Sequence, residues 1–360
     1  MREPIVSDLE FRALRAFSRA LGEDPLRTQA AGGNTSLKRD GLLWIKASGA
    51  WLANAEQRDI LVPVRLGALL AALATNDPRA ETGVSFVEEA RNEARLRPSI
   101  ETSVHATLPQ PVVAHIHCVE TIALAVRADG EAQVAKRLAA LADVEWIYVP
   151  YCKPGLTLSK AIAERSTPRI NVVVLANHGL VVTGASVAET ADRLERVCRA
   201  FASPARSSPP ADLPRLALAL EGSDYRLPAD AAAHAVALDP ANLALARGSL
   251  YPDHVIFLGP GIVVAPDIAA GAATRPVGGR DGPPPMIVLP ALGVAMHRSA
   301  TSAADAMARC LADVVARIPV GAEIVRLTSA QEYELTNWEA EKYRQALDAK
   351  AASHTKPTAL

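Results

Sequence analysis

Three histidines and one glutamate are the residues of this sequence best suited to chemistry. His115 and His117 stand at i and i+2 in the apolar run Val112-Val-Ala-His-Ile-His117. Alternation along a strand projects both imidazoles from one face, about 7 Å apart, so the two can share one cation. His178 ends a second apolar run in Asn177-His178-Gly179, where a turning backbone frees its ring to point off the sheet. Three neutral imidazoles with an open fourth position form the usual arrangement of a catalytic zinc site. Singly, each is better read as a satisfied core or turn histidine, and only as a set does a metal site become an equally good reading.

Glu101 falls in the first turn of a short helix that Ser99 would cap and that must end by Pro109. There it is either a helix-dipole acid or a proton-transferring carboxylate. His105, one turn later, is read as a packing residue or as a partner of Glu101. Gly32-Gly33-Asn34-Thr35-Ser36 and Ser48-Gly49 each offer backbone amides and hydroxyls to an anion. Taken alone these are ordinary turns, but they flank one hairpin built about Asp40-Gly41, so both of its outer ends can meet one ligand. Lys46 and Lys153 could offset the charge of a phosphate, but a lone lysine is read first as solvated.

The elements that must position these residues follow from periodicity and punctuation. A helix is expected over 8–22, then the hairpin, a mixed strand and helix over 55–75, and a polar surface stretch over 76–98. Strand 112–117, helices 119–126 and 131–142, strand 145–149, helix 158–165 and strand 170–176 follow, with a second strand at Val181-Val182. Ser186 and Glu189 predict a capping box for a helix to about 202. Residues 203–214 hold four prolines in twelve positions, which marks a linker. Beyond it come helical stretches to about 247, strands at 253–258 and 261–265, a loop Gly278–Pro285, a strand pair over 286–297, and helices 301–317 and 329–349, the last opened by a Ser329-x-x-Glu332 box. His254 and His297 in this part are read as structural.

Composition narrows the possibilities. A length of 360 residues suits two domains or one large one. Lys plus Arg at 38 against Asp plus Glu at 39 leaves a net charge of −1, which speaks against a nucleic-acid or polybasic membrane partner. Aromatics at 4% require an aliphatic core and argue against a base-stacking role. The uncharged stretch Ile170–Ala188 is too rich in Asn, His, Gly and Thr for a membrane span and reads as two buried strands joined by a polar turn. No apolar leader opens the sequence, so a cytoplasmic protein is expected. Four cysteines without CxxC spacing are expected to be reduced and mostly structural.

Taken in order, Gly33-Asn34-x-Ser36, Ser48-Gly49, Pro98-Ser99-x-Glu101, His115-x-His117 and Asn177-His178-Gly179 resemble the class II aldolase/adducin superfamily over residues 8 to about 202. Asp253–Leu258, Pro285–Leu289 and the Trp338 helix further resemble the aldolase part of bifunctional rhamnulose-phosphate aldolase/alcohol dehydrogenase chains. No Gly-rich nucleotide fingerprint follows, so the dehydrogenase half is not expected here. The resemblance implies a three-layer α/β/α catalytic domain with a mainly antiparallel sheet over 1–203, a linker at 204–214 and a smaller α/β extension over 215–360. It implies that His115, His117 and His178 ligate a divalent metal, Zn2+ or else Mn2+ or Co2+. Glu101 would be the acid/base, and Gly33, Asn34, Ser48, Gly49 and Ser99 would bind substrate or phosphate.

The implied reaction is reversible retro-aldol cleavage of a ketose phosphate or ketose through a metal-stabilised enediolate. Glu101 would need a raised pKa for this, favoured by burial and opposed by the cation. Tyr148, Tyr151 and Glu120 are candidates to protonate the aldehyde oxygen. One departure stands out: Ile100 replaces a serine that many family members carry between Ser99 and Glu101, which removes one phosphate donor. The same scaffold serves sugar-phosphate 4-epimerases, dehydratases and decarboxylases, and an adducin-like non-catalytic binding protein is the alternative of another class. A homo-oligomer, possibly a tetramer, is implied.

Overall fold

A computed structural model of the chain describes residues 9–274 and 282–354. Asp8 and part of the expected Gly278–Pro285 loop lie outside them. The chain divides into two compact units: one runs to Thr121 and resumes over Glu131–Ala202, and the other comprises Ile122–Gly130 and the chain from Ser203 onward.

In chain order the first elements are α1 (Leu9–Glu23), β1 (Asn34–Arg39), β2 (Leu42–Lys46), β3 (Leu61–Arg65), α2 (Leu66–Ala74), α3 (Thr102–Thr107), β4 (Val112–Ile116), α4 (Val119–Ala125), α5 (Gly130–Leu138), β5 (Trp146–Val149), α6 (Leu156–Arg165), β6 (Val172–Leu175), β7 (Gly179–Gly184) and α7 (Val187–Phe201). The seven strands form one sheet in the order β3-β2-β1-β4-β7-β6-β5. Every neighbouring pair is antiparallel except β5 with β6. Asp40 at φ +51° and Gly41 at φ +74° make the left-handed turn that closes the β1–β2 hairpin.

Period-two alternation gives the sheet two apolar faces. Leu37, Leu42, Trp44 and Val112 pack with Phe11 and Leu14 of α1 and Val187 of α7. The opposite face carries Leu43, Ile45 and Val64, which pack with Leu69 of α2 and Ala106 of α3. It also carries Val113, Val173 and Val181, which pack with Val104 of α3 and Leu158 and Ile162 of α6. Helices therefore cover both faces, the expected α/β/α layering, and the alternation that places Val113 under α3 sends His115 and His117 to the same side.

The other unit contains α8 (Leu213–Leu220), β8 (Tyr225–Arg226), α9 (Ala235–Leu238), α10 (Pro240–Ala246), α11 (Pro252–Leu258), β9 (Val263–Val264), α12 (Ile268–Ala273), β10 (Met286–Leu289), β11 (Gly293–His297), α13 (Ser302–Arg317), α14 (Ser329–Asn337) and α15 (Glu339–His354). Its four strands run in the order β8-β11-β10-β9.

Several expectations are corrected. Residues 253–258 form a helix rather than a strand, because Pro252 sits at its start, Asp253 in its first turn, and Gly259 at φ +92° caps its end. The 261–265 strand shrinks to two residues. The stretch 76–98 is not simply surface: Ala80, Phe86 and Val87 enter the core, and Asn92 is buried with two 3.0 Å bonds to Leu96. Helix α5 stops at Leu138, well short of 142. Ser186 Oγ accepts the Glu189 N–H, but the Glu189 carboxylate takes the N–H of Ala185, so the reciprocal box is not closed. The final box forms between Thr328 and Gln331 instead of Ser329 and Glu332, and the helix expected over 329–349 breaks at Trp338.

Candidate active site

One end of the seven-stranded sheet gathers the chemistry. The antiparallel order brings the start of β1, the end of β2, the end of β4 and the start of β7 to this end, and β6 and β5 finish there as well. Asn34 stands directly opposite His115 across the β1–β4 pair. His178 lies in the short turn from β6 to β7, entered through Asn177 at φ +54°. Gly179 is required beside it, since a Cβ there would lie 2.4 Å from the Ile116 carbonyl oxygen.

The three imidazoles converge. His115 Nε2 and His117 Nε2 are 3.1 Å apart. The ring centroids are separated by 4.9 Å, 4.9 Å and 5.1 Å for the pairs 115–117, 115–178 and 117–178. One ligand atom from each lies within 4.8 Å of the others, and all three residues are buried. Two ligands each about 2.1 Å from a tetrahedral zinc lie roughly 3.4 Å apart, so the spacing suits one ion. His115 Nδ1 meets the Leu180 carbonyl oxygen at 3.1 Å, which makes it the protonated nitrogen and turns the Nε2 lone pair inward.

Glu101 faces this group. Its Oε2 is 3.3 Å from His115 Nε2 and its Oε1 is 3.7 Å from His178 Nε2. Asn34 Nδ2 donates to Oε2 at 2.9 Å and to Ser99 Oγ at 3.2 Å. Oε1 is buried without a hydrogen-bond partner. A buried, unsatisfied carboxylate oxygen beside three convergent imidazoles is the donor set of a divalent cation, so these residues fit the implied metal.

The local backbone differs from expectation in one respect. Glu101 is the residue before α3, not a member of its first turn. Ser99 Oγ accepts the Glu101 N–H at 3.2 Å and Ser99 O accepts the Thr102 N–H at 3.1 Å, so the serine folds the approach to the helix and aims the glutamate out of it. The expected rise in the Glu101 pKa is also not met. Burial pushes it up, but His115, His178 and His117 together with the Asn34 amide outweigh burial and hold the carboxyl at about 2.

The glycine-rich segments reach the same end of the sheet. Gly33, at φ +66°, packs so close to the β4 backbone that a Cβ would lie 2.8 Å from the His115 carbonyl oxygen. Ser48 and Gly49 arrive through the main chain: Ala47 pairs with Pro98, Ser48 N–H donates to Arg97 O at 2.9 Å, and Gly49 turns at φ +75°. Ile100 is half-buried between Ser99 and Glu101.

Most other candidates fall elsewhere. His105 Nδ1 meets Ser36 Oγ at 2.7 Å, so its ring ties α3 to β1. Glu120 Oε2 lies 3.2 Å from Cys118 Sγ. Tyr148 sits in the edge strand β5, where burial pushes its phenol up to about 12. Tyr151 follows β5 at the end of the sheet that holds the histidines. His254 Nε2 bonds Gly261 O at 3.2 Å and His297 Nδ1 meets Ser299 Oγ at 2.7 Å, as befits structural roles. The four cysteines are free. No helix among the described residues is long and apolar enough to cross a membrane.

Sequence reasoning misjudged Lys46, which is 2% exposed. Its Nζ donates at 2.7 Å to both Ala31 O and Ala50 O. The signal lay in its position at the end of an apolar strand, between the two glycine-rich segments.

Comparison with known proteins bears on this geometry. Residues 12–203 match the sequence model of the class II aldolase and adducin N-terminal domain. An uncharacterized oxidoreductase of Bacillus subtilis (strain 168), YuxG, is 31% identical over 179 residues, which is 46% of this chain and 25% of that relative. The match thus spans about a quarter of the curated relative's length. The N-terminal class II aldolase domain of a conserved protein from Thermoplasma acidophilum is similar in structure, at 27% identity and a TM-score of 0.46, covering 56% of this chain and 95% of that one. L-fuculose-1-phosphate aldolase from Thermus thermophilus is similar at 18% identity and a TM-score of 0.37, covering 53% of this chain and 90% of that one.

Proposed function

Because the chain belongs to the class II aldolase and adducin family, we propose that it is a divalent-metal-dependent aldehyde-lyase that cleaves and re-forms the carbon–carbon bond of a ketose or ketose phosphate. The observation that carries this reading is the buried Glu101 Oε1, without a hydrogen-bond partner, facing three convergent imidazoles. A structural or purely binding protein has no physical use for a buried carboxylate oxygen left without a hydrogen-bond donor, because an unmet buried acceptor costs free energy.

His115, His117 and His178 hold the metal, with zinc the first expectation and Mn2+ or Co2+ the alternatives. Once bound, the ion supplies Lewis-acid stabilisation of the negative charge that develops on the substrate carbonyl oxygen. Glu101 stays ionised and so is ready to accept a proton from the carbon next to that carbonyl in the addition direction and to return it in cleavage. Asn34 occupies Oε2, which leaves Oε1 as the oxygen that takes the proton. Gly33, Asn34, Ser48, Gly49 and Ser99 form the cradle for the substrate's oxygen-rich or phosphorylated end. Residues 1–203 are assigned the chemistry, 204–214 the linker and 215–360 the extension, with a homo-oligomer as the working assembly.

The test is a panel of ketose 1-phosphates and free ketoses, scored for release of dihydroxyacetone phosphate or an aldehyde by metal-loaded protein. Glu101→Gln is expected to lower the rate by roughly 100-fold or more, in the range usual for losing a general base. Cleavage of no ketose by the wild type would remove the lyase assignment.

A further inference from the structure

We infer that Lys46 is a positioning residue that ties together the three segments of the substrate cradle; this rests on the reading of that cradle given above. An ammonium offers three donors and no acceptor. In Lys46 two of the receivers are main-chain carbonyls from different loops, Ala31 O and Ala50 O, each at 2.7 Å. Ala31 immediately precedes Gly32-Gly33-Asn34, and Ala50 immediately follows Ser48-Gly49. The third segment is held by the same residue's backbone, because Lys46 O accepts the Ser99 N–H at 3.0 Å. One residue therefore touches the Gly-Asn loop, the Ser-Gly loop and the Ser-x-Glu turn.

The need for such a tie follows from the loops themselves. Gly33 and Gly49 both turn at positive φ, +66° and +75°, just outside the strand ladder that sets distances within the sheet. The pairing of β1 with β2 begins only at Ser36 opposite Ile45, so that ladder does not fix how far apart the two glycine turns stand. The buried ammonium does, since its two donors must reach both carbonyls at once. A lysine is tolerated at a buried strand end only where its charge is matched to such acceptors. Methionine would fill the same space and leave both carbonyls without this donor.

The experiment is hydrogen–deuterium exchange on the full chain loaded with Co2+, comparing wild type, Lys46→Met and Lys46→Arg, with inorganic phosphate binding measured on the same samples. In Lys46→Met the amides of residues 30–34 and 48–51 are expected to exchange at least tenfold faster together, while those of 112–116 keep the wild-type rate. Phosphate affinity falls at least tenfold and Co2+ uptake stays within twofold. Lys46→Arg keeps the charge and the donors and is intermediate in both exchange and affinity. Wild-type exchange in either loop would overturn the inference. So would acceleration spread evenly over the whole sheet, which is what a merely structural lysine would produce. Should Lys46→Met not yield folded protein, Lys46→Arg decides alone: its longer fork displaces both carbonyls, and unchanged exchange at either loop refutes the tie. A wild type that takes up no Co2+ contradicts the metal reading, and one that binds no phosphate contradicts the anion role of the cradle; in both cases the exchange pattern still decides the role of Lys46.

Discussion

Asn34 Nδ2 donates to Glu101 Oε2 at 2.9 Å across 67 residues of sequence. Since Asn34 is also the direct cross-strand partner of His115, one side chain links the carboxylate to the strand that carries two of the imidazoles. The bond decides which oxygen of Glu101 is committed and which remains for chemistry.

Replacing Asn34 with alanine removes that donor and leaves a buried carboxylate short of a partner. The expected cost is about 1–3 kcal/mol in unfolding free energy, measured by urea titration of metal-free protein. Co2+ uptake stays near the wild-type level because the imidazoles are untouched, whereas turnover on any ketose found in the substrate panel falls. A variant as stable as wild type would show that the bond does not hold Glu101 in solution.

The depressed pKa of Glu101 gives a pH signature. Its folded value, about 2, lies below the ordinary value of 4.5, so the unfolded chain takes up the proton first as pH falls. The stability it contributes is complete above about 4.5 and is lost between about 4.5 and 2. Urea midpoints of metal-free protein across that window should fall more steeply for wild type than for Glu101→Gln. Parallel curves would mean that the carboxyl titrates normally.

Gly179 offers a steric test of how His178 is presented. A Cβ 2.4 Å from Ile116 O forces the β6–β7 turn away from β4, and Gly179→Ala should cost about 1–3 kcal/mol and weaken Co2+ binding together. At Gly41, where a Cβ meets nothing within 4 Å, alanine should cost about 1–2 kcal/mol for its φ of +74° alone and leave Co2+ binding unchanged. Equal metal affinity in the two variants would argue that the turn adapts.

Much of this was legible in the sequence because local rules carried it. Alternation put His115 and His117 on one face, Asp40-Gly41 announced the hairpin, and the Asn-His-Gly turn marked a second strand end. What escaped depended on partners distant in sequence. The end of an apolar strand hints that Lys46 is buried, but nothing local says that two carbonyl oxygens will receive it, that His105 will find Ser36, or that three imidazoles will outweigh burial at Glu101. Residues 253–258 were misread for a different reason: a short apolar run has no decisive period, and the flanking Pro252 and Gly259 were the better guide.

The central claim is that His115, His117 and His178 hold one divalent metal beside Glu101. Cobalt titration followed by elemental analysis, on wild type and on His115→Ala and His178→Ala, tests it most directly. The account predicts about one Co2+ per wild-type chain, with a tetrahedral absorption band, and at least a tenfold loss of affinity in each variant. A wild type that binds no stoichiometric ion, or variants that retain it unchanged, would contradict it.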